Sequence, residues 1–236
     1  MSIFESAVTR AFSQGLRLGA AGAATLAFLC YPIQARADPF TTYEQVASSD
    51  LPITVLTKVI ARGGKSKTYT DLVPLDGGTV GIANFATGGL ASLYREMDTE
   101  KYFERSEAVM ISDFSKKCRP EGKSGNDTGW GCFSKAWWHD GMARFLASPE
   151  SIDAQNRAWL ALMKPSIDAA LAKGWTDRRS LAIAMGVTNS LGSSGFKKLA
   201  ANNGWKPEQV LSAYVGTNEH RKRRRDALNA AFPPPT

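Results

Sequence analysis

A glycine-rich segment that opens with an aspartate constrains the fold of this chain most strongly. Residues 76–88 read Asp-Gly-Gly-Thr-Val-Gly-Ile-Ala-Asn-Phe-Ala-Thr-Gly. Glycines allow tight turns and close approach of a ligand to the backbone, and the order Val80, Ile82 and then Phe85 gives a short β-ribbon one inward face. We therefore expect a β-hairpin that holds Asp76 at the mouth of a cleft.

The same segment resembles the hairpin of the family 46 chitosanases, which belong to the lysozyme-like superfamily. The family pattern is Asp-Gly-Arg-Gly-Tyr-Thr-x-Gly-x-x-Gly-Phe-Thr-Thr-Gly. Five residues of this chain fall in register with it: Thr79, Gly81, Phe85, Thr87 and Gly88. The hairpin arginine is absent, the segment from Asp76 to Thr79 is two residues shorter than in the family, and Asn84 stands where the family has glycine.

The resemblance implies a secreted glycoside hydrolase that cleaves β-1,4-linked amino-sugar polymers. It implies that Asp76 is the base that activates water and that Thr79 helps to position that water. Such enzymes also use a general acid, which the family carries as a glutamate near the end of the helix before the hairpin. The corresponding residues 57–64 contain no glutamate.

The identity of a second catalytic carboxyl group therefore stays open. Proximity in sequence makes Asp71 and Glu96 candidates, with Asp98 beside them, although single acids on polar faces are usually solvated or cap helices. Asp76 itself begins an Asp-Gly pair, which is also a common turn. The alternatives to a hydrolase are a glycan-binding module that has lost its acid and a periplasmic partner-binding or structural protein.

Substrate binding is expected from the hairpin region and from the most aromatic stretch of the chain, residues 130–140. The candidate residues are Tyr69, Gly77, Asn84, Thr87, Trp137 and Trp138. Sugars bind well on exposed aromatic faces. Adjacent tryptophans cannot face the same side of a helix, so we expect one of the pair to be buried and the other exposed.

The first 37 residues predict a secretory signal, and hence a periplasmic or secreted protein. Arg10 and Arg17 precede an apolar run over residues 18–31, and small residues flank position 36. That run of about 14 residues is short for a bilayer span of about 20, so we expect no stable membrane insertion after cleavage; an uncleaved anchor is the alternative. Cleavage leaves 199 of the 236 residues as one domain, 38–236, which we expect to be a monomer.

Charge distinguishes between chitosan and peptidoglycan, the two polymers that the resemblance suggests as substrates. The signal carries three arginines and one glutamate, so its removal lowers the net charge from +7 to +5. Chitosan is cationic and would be repelled, whereas the carboxylates of peptidoglycan would be attracted, so we favour peptidoglycan. The basic run at residues 220–225 is either a solvated helix end or a contact for an anionic cell-wall polymer, and we expect no nucleic acid partner.

The two cysteines outside the signal predict a disulfide. Cys118 and Cys132 bracket a polar loop, and in an oxidising compartment a bridge of this span is worth about 3 kcal/mol. His139 and His220 are the two histidines of the chain and form no recognised ligand spacing with these cysteines. We expect no metal and no cofactor.

Helical periodicity over the rest of the chain predicts an α+β, mostly helical fold, in agreement with a two-lobed lysozyme-like fold that carries a small β-hairpin at its cleft. Predicted helices run from Asp50 to the glycines at 63–64, from about 89 to 105, from 148 to a break or kink at Pro165, on to 174, from about 177 to 191, and once or twice between 207 and 232. Residues 192–195 read as a turn between helices.

Overall fold

The computed structural model describes residues 39–74, 78–86, 88–116 and 135–235. These residues belong to one compact unit and are mostly helical, with one antiparallel sheet of two short strands. The mostly helical α+β class is therefore confirmed. In the described ranges no helix combines the length and the apolar character needed to cross a membrane.

The elements follow one another in an order that places the hairpin early in the chain and the longest helices late. They are α1 (Tyr43–Ser48), α2 (Leu51–Val55), a π-helix (Leu56–Ile60), α3 (Ala61–Gly63), β1 (Leu72–Val73), β2 (Thr79–Val80), α4 (Gly88–Tyr94), α5 (Thr99–Phe103), α6 (Glu107–Lys116), α7 (Ala136–Leu146), α8 (Ser151–Leu171), α9 (Arg178–Asn202), α10 (Pro207–Val215) and α11 (Glu219–Ala231).

The helix predicted before the hairpin is present as a continuous run through α2, the π-helix and α3. Of the apolar residues at helical spacing in this run, Leu56, Val59 and Ile60 are buried, whereas Ile53 is exposed. Asp50 makes no capping hydrogen bond through its side chain. The run ends at the predicted pair of glycines, so its C-terminus lies directly before the segment that leads into the hairpin.

The hairpin pairs β1 with β2, and Thr79 lies opposite Val73. Val80 then forms a second bridge with Phe85, so the chain reverses direction twice within a few residues. The predicted inward face is confirmed, because Val80, Ile82 and Phe85 are all buried. This apolar face attaches the ribbon to the helical core.

The single helix predicted over residues 89–105 is wrong, since α4 and α5 are separate helices. Residues 95–98 interrupt them, and the carboxylate of Asp98 caps α5 by accepting a hydrogen bond from the backbone N–H of Lys101 at 3.0 Å. Phe103, on the far side of the interruption, is still buried. The apolar spacing therefore continues across a break that the spacing itself does not reveal.

The helices α8 and α9 are the longest in the described part of the chain and pack against each other. A break at Pro165 does not occur, because this proline lies inside α8. Its ring removes the hydrogen bond to the carbonyl of Ala161, and Ala161 is exposed, so water can take that place. Gly192 interrupts α9 with φ 68° and ψ 169°, at the start of the predicted turn. The predicted turn over residues 192–195 is otherwise wrong, because residues 193–202 are helical.

Two helices, α10 and α11, occupy the region predicted to hold one or two. Arg179 of α9 is buried and fixes α11 in place. Its guanidinium contacts Glu208 at 2.6 and 2.8 Å, donates to Oδ1 of Asn229 at 2.9 Å, and donates to the carbonyl of Phe232. The basic residues of α11 are thereby held against α9 and the helical run before the hairpin.

Candidate functional site

A cleft of about 500 Å³ lies between the turn that follows the hairpin and the helices α8 and α9. We call its first side the hairpin wall: residues 83–86, 88 and 89, with the segment 64–71 behind them. The second side is the helical wall, formed by α8 between Trp159 and Pro165 and by α9 between Thr188 and Ser193. Its volume is within the range usual for small-ligand sites.

Two residues with left-handed backbone conformations shape the hairpin wall. Gly81 has φ 62° and Asn84 has φ 58°, and the turn between them lets Val80 and Phe85 exchange backbone hydrogen bonds of 2.9 Å. A Cβ added to Gly81 would lie 1.8 Å from Oε1 of Gln155 on α8. Both the positive φ and this close approach require glycine there.

Asn84 connects the turn to the segment that precedes the hairpin. Its Oδ1 accepts hydrogen bonds from the backbone N–H groups of Lys65 at 3.0 Å and Ser66 at 3.1 Å. Its Nδ2 donates to the carbonyls of Ser66 at 3.1 Å and Ile82 at 3.0 Å. An amide of this kind has two donors and two main acceptor positions, so the protein backbone already uses the groups that substrate binding would need.

Asp71 and Tyr69, which precede the hairpin, are also engaged within the protein. The Asp71 carboxylate accepts from Lys67 N at 2.6 Å, Thr68 N at 3.1 Å and Thr68 Oγ1 at 2.6 Å. Burial alone would raise the pKa of Asp71, but these hydrogen bonds together outweigh it and lower that pKa. The Tyr69 hydroxyl donates to Oδ1 of Asn156 at 2.8 Å, and burial raises the pKa of this phenol.

Thr79 and Glu96 do not line the cleft. Thr79 is buried in β2 with 4% of its surface exposed. Glu96 follows α4 and forms an ion pair with Arg157 of α8, with 2.8 Å between Oε2 and Nε. The structure therefore brings neither residue together with Asp71 as a pair of catalytic groups around this cleft.

Of the two tryptophans of α7, one is buried as predicted, whereas the other is half-buried rather than exposed. Trp138 is fully buried and donates from Nε1 to the hydroxyl of Tyr94 at 2.7 Å. This corrects the expectation of a direct sugar contact for Trp138, since a side chain without exposed surface cannot stack on a ligand. Trp137 is half-buried, and the guanidinium of Arg105 lies 4.1 Å from the centre of its ring. Neither residue lines the cleft.

The polar part of the helical wall comes from consecutive residues of α9. Asn189 accepts a hydrogen bond from Nε1 of Trp159 at 2.8 Å, and Ser190 shares one of 2.7 Å with the hydroxyl of Tyr214. The Oγ1 of Thr188 is buried and has no hydrogen-bond partner. A buried hydroxyl in this state is costly unless a ligand or water satisfies it.

These α9 residues were not predicted as a site. The sequence does contain a signal for them, because residues 181–187 are all apolar or glycine and three polar residues follow at 188–190, just before Gly192. A polar run at the end of a buried helix is typical of a wall that faces a cavity.

The chemistry available in the described part of the cleft is binding chemistry. Its described lining residues offer hydroxyl, amide and apolar groups and include no side chain that titrates near neutral pH. The described residues also contain no group of three or more histidine, cysteine, aspartate or glutamate side chains placed to hold a metal ion. Hydrogen bonding to a neutral or anionic ligand is therefore what this part of the cleft supports.

Several predicted residues lie outside the described part of the chain. They are Asp76 and Gly77, which follow β1 in the sequence, Thr87, which precedes α4, and Cys118 and Cys132, whose positions in the sequence fall between α6 and α7. The catalytic role of Asp76, the substrate contacts of Gly77 and Thr87, and the disulfide remain predictions.

Comparisons with known proteins returned no match: no protein-family model, no curated protein and no solved structure was found to be similar to this chain. The functional assignment therefore depends on the residues themselves.

Proposed function

We propose that this protein binds amino-sugar glycan strands in the cleft between the hairpin wall and the helical wall. The observation that supports this most directly is the cleft beside the hairpin, because the lysozyme-like fold implied by the sequence resemblance has its substrate cleft in that place. Hydroxyl and amide groups on α9 suit the hydroxyl and N-acetyl groups of such sugars. Apolar residues of both walls suit the faces of the sugar rings.

Peptidoglycan is the proposed polymer, in preference to chitosan. A cationic chitosan strand needs acidic side chains in its binding cleft, and the described lining residues supply none. The basic balance of the chain adds a long-range attraction for the carboxylates of peptidoglycan. Export by the predicted signal would bring the protein to the compartment that contains this polymer.

Binding without turnover is the candidate that the described geometry favours. The place where the resemblance requires a general-acid glutamate holds Ala61 and Arg62 in α3. Loss of a general acid typically lowers the rate by about 10²–10⁴-fold, which is enough to convert an enzyme into a protein that binds its substrate with little turnover.

Hydrolysis is the second candidate, and the match of residues 76–88 to the chitosanase hairpin favours it. In this case Asp76 is the base and a carboxyl group from elsewhere is the acid. Asp71 is a poor choice for that acid because its hydrogen bonds lower its pKa, whereas a general acid needs a raised one. Glu96 is already paired with Arg157.

One experiment separates these candidates. Purified protein, its Asp76→Asn variant and a control Asp140→Asn variant, in which an acid on the exposed surface of α7 is changed, are incubated with peptidoglycan and with chitosan. Co-sedimentation measures binding, and new reducing ends measure hydrolysis. We expect binding to peptidoglycan without new ends. New ends that disappear only in Asp76→Asn would establish the hydrolase, and absence of both signals would reject the glycan proposal.

A further inference from the structure

Next to the helical wall lies an arginine of α11 that forms no ion pair within the described part of the chain. Arg224 of α11 donates from Nη1 to Oγ of Ser190, a residue that lines the cleft. The stem of Arg224 lies on the backbone of Gly63, where an added Cβ would be 2.0 Å from its Cγ. These two contacts fix the guanidinium between the end of α3 and the cleft.

The neighbours of Arg224 on α11 behave differently. Lys222 pairs with Glu219 at 2.6 Å, and Arg225 pairs with Asp226 at 2.8 Å. Arg224 forms no ion pair with a carboxylate of the described residues, and its Nε is buried without a hydrogen-bond partner. A guanidinium carries five N–H donors, so most of its hydrogen-bonding capacity is unused.

Further donors lie at the same end of the cleft. The buried hydroxyl of Thr188 has no partner, although it belongs to a lining residue. After Gly192 the helix resumes over residues 193–202, and Ser193 at its start also lines the cleft. The first N–H groups of a helix lack acceptors within the helix and carry the positive end of its dipole. Arg224 therefore contacts the helical wall through Ser190, in a stretch of α9 where no described lining residue is acidic.

We infer that this end of the cleft is an anion subsite and that Arg224 binds a carboxylate of the glycan. This inference rests on the proposed function and deepens it, because it names an acidic amino sugar as the ligand. The lactyl carboxylate of N-acetylmuramic acid in peptidoglycan has the required charge. A neutral N-acetylglucosamine polymer has no group for the subsite, and the ammonium groups of chitosan are repelled by it.

The test compares two soluble ligands of equal length by isothermal titration calorimetry. One is a peptide-free peptidoglycan tetrasaccharide, and the other is the neutral tetramer of N-acetylglucosamine. Each is titrated into the purified protein and into the Arg224→Gln variant, whose shorter side chain keeps the stem that packs on Gly63. The matched control is Arg223→Gln, which removes the same charge from the adjacent position of α11, in a groove with Lys58 and Arg62.

We expect Arg224→Gln to lower the affinity for the acidic ligand by roughly 10- to 100-fold, since a hydrogen bond to a charged group contributes on that scale. The affinity for the neutral ligand should change by less than about 2-fold. Arg223→Gln should leave both affinities unchanged. An equal loss for both ligands, no loss, or the same loss in Arg223→Gln would overturn the inference while leaving the proposed function in place. If the unaltered protein binds neither ligand, the proposed function itself fails.

Discussion

The hairpin wall and the helical wall of the cleft use their polar side chains in different ways. On the hairpin wall, the amide of Asn84 and the carboxylate of Asp71 bind backbone groups of neighbouring residues. On the helical wall, the hydroxyl of Thr188 has no partner, and Arg224 behind Ser190 has no counter-ion among the described residues. The hairpin wall therefore uses these polar groups within the protein, whereas Thr188 on the helical wall and Arg224 behind it keep polar groups without a partner among the described residues.

Ligand recognition is therefore expected on a different part of the cleft from the one that the sequence resemblance implies. The resemblance implies the hairpin, because the matching residues are there. Within the described residues, the groups available for binding lie instead on α9 and α11, more than a hundred positions later in the chain. We therefore expect substitutions on the hairpin wall and on the helical wall to differ in their effects on stability and on ligand binding.

The largest expected effect is on the hairpin wall, at Gly81. Gly81→Ala should lower the free energy of unfolding by about 2–4 kcal/mol, since the new Cβ both occupies a left-handed position and clashes with Gln155. Denaturant unfolding measures the change. Gly174→Ala is the control, because it has φ 80° but no atom within 4 Å, and it should cost about 1–2 kcal/mol. Equal losses of unfolding free energy at the two positions would show that the hairpin wall accommodates the new Cβ without cost from the contact with Gln155.

Asn84 tests the hydrogen bonds of the same wall. Asn84→Ala should destabilise the protein by about 2–3 kcal/mol, because the backbone N–H groups of Lys65 and Ser66 lose their acceptor. Asn84→Gly removes the same bonds but adopts the left-handed conformation freely, so we expect it to be more stable than the alanine variant by about 1 kcal/mol. Thermal unfolding of both variants checks these values: the reverse order would contradict the left-handed conformation at this position, and a negligible loss in both would contradict the role assigned to the amide.

A matched pair of hydroxyls compares the two walls directly. Thr188→Val should raise the free energy of unfolding by about 1 kcal/mol, because it replaces an unpaired buried hydroxyl by a methyl group of similar shape. Ser66→Ala on the hairpin wall should lower it by about 1–2 kcal/mol, since Ser66 donates to the carbonyl of Gly81 at 2.6 Å. Denaturant midpoints with equal slopes measure both changes. A loss of stability in Thr188→Val would show that its hydroxyl is already satisfied.

The smallest expected effect depends on pH and concerns Asp71. Its pKa is lowered in the folded protein, so its contribution is complete above the unfolded value of about 3.9 and is lost as the pH falls through the folded pKa. Asp71→Ala should therefore cost about 0.5–1 kcal/mol at pH 7 and progressively less below pH 4. Unfolding measured from pH 7 to pH 2 tests this. A difference that grows in acid would contradict the assigned direction.

Much of the fold follows from local patterns in the sequence. Residue types and apolar spacing predicted the end of α3 at two glycines, the burial of Val80, Ile82 and Phe85, and an interruption at Gly192, although not the helix that follows it. The break between α4 and α5 was missed because the apolar spacing continues across it. Pro165 was expected to break or kink its helix, but α8 continues through it, and Ala161, whose carbonyl loses its helical partner, is an exposed residue.

The candidate site was less predictable. Asp71 and Glu96 were candidates because they are near Asp76 in the sequence. In the structure Asp71 accepts a hydrogen bond from Thr68, and Glu96 forms an ion pair with Arg157. The meeting of Gly63, Ser190 and Arg224 depends on how α3, α9 and α11 pack, and no pattern within one element encodes that contact. Similarly, two adjacent tryptophans predict one buried ring, but only packing decides that Trp138 is the buried one.

The most direct test of the central claim is a heteronuclear NMR titration of the purified protein with peptide-free peptidoglycan tetrasaccharide. We expect the largest amide shifts at Thr188, Asn189 and Ser193 on the helical wall, with smaller shifts at residues 83–86 of the hairpin wall. Shifts confined to the groove beside Lys58, Arg62 and Arg223, or no shifts at saturating ligand, would contradict it.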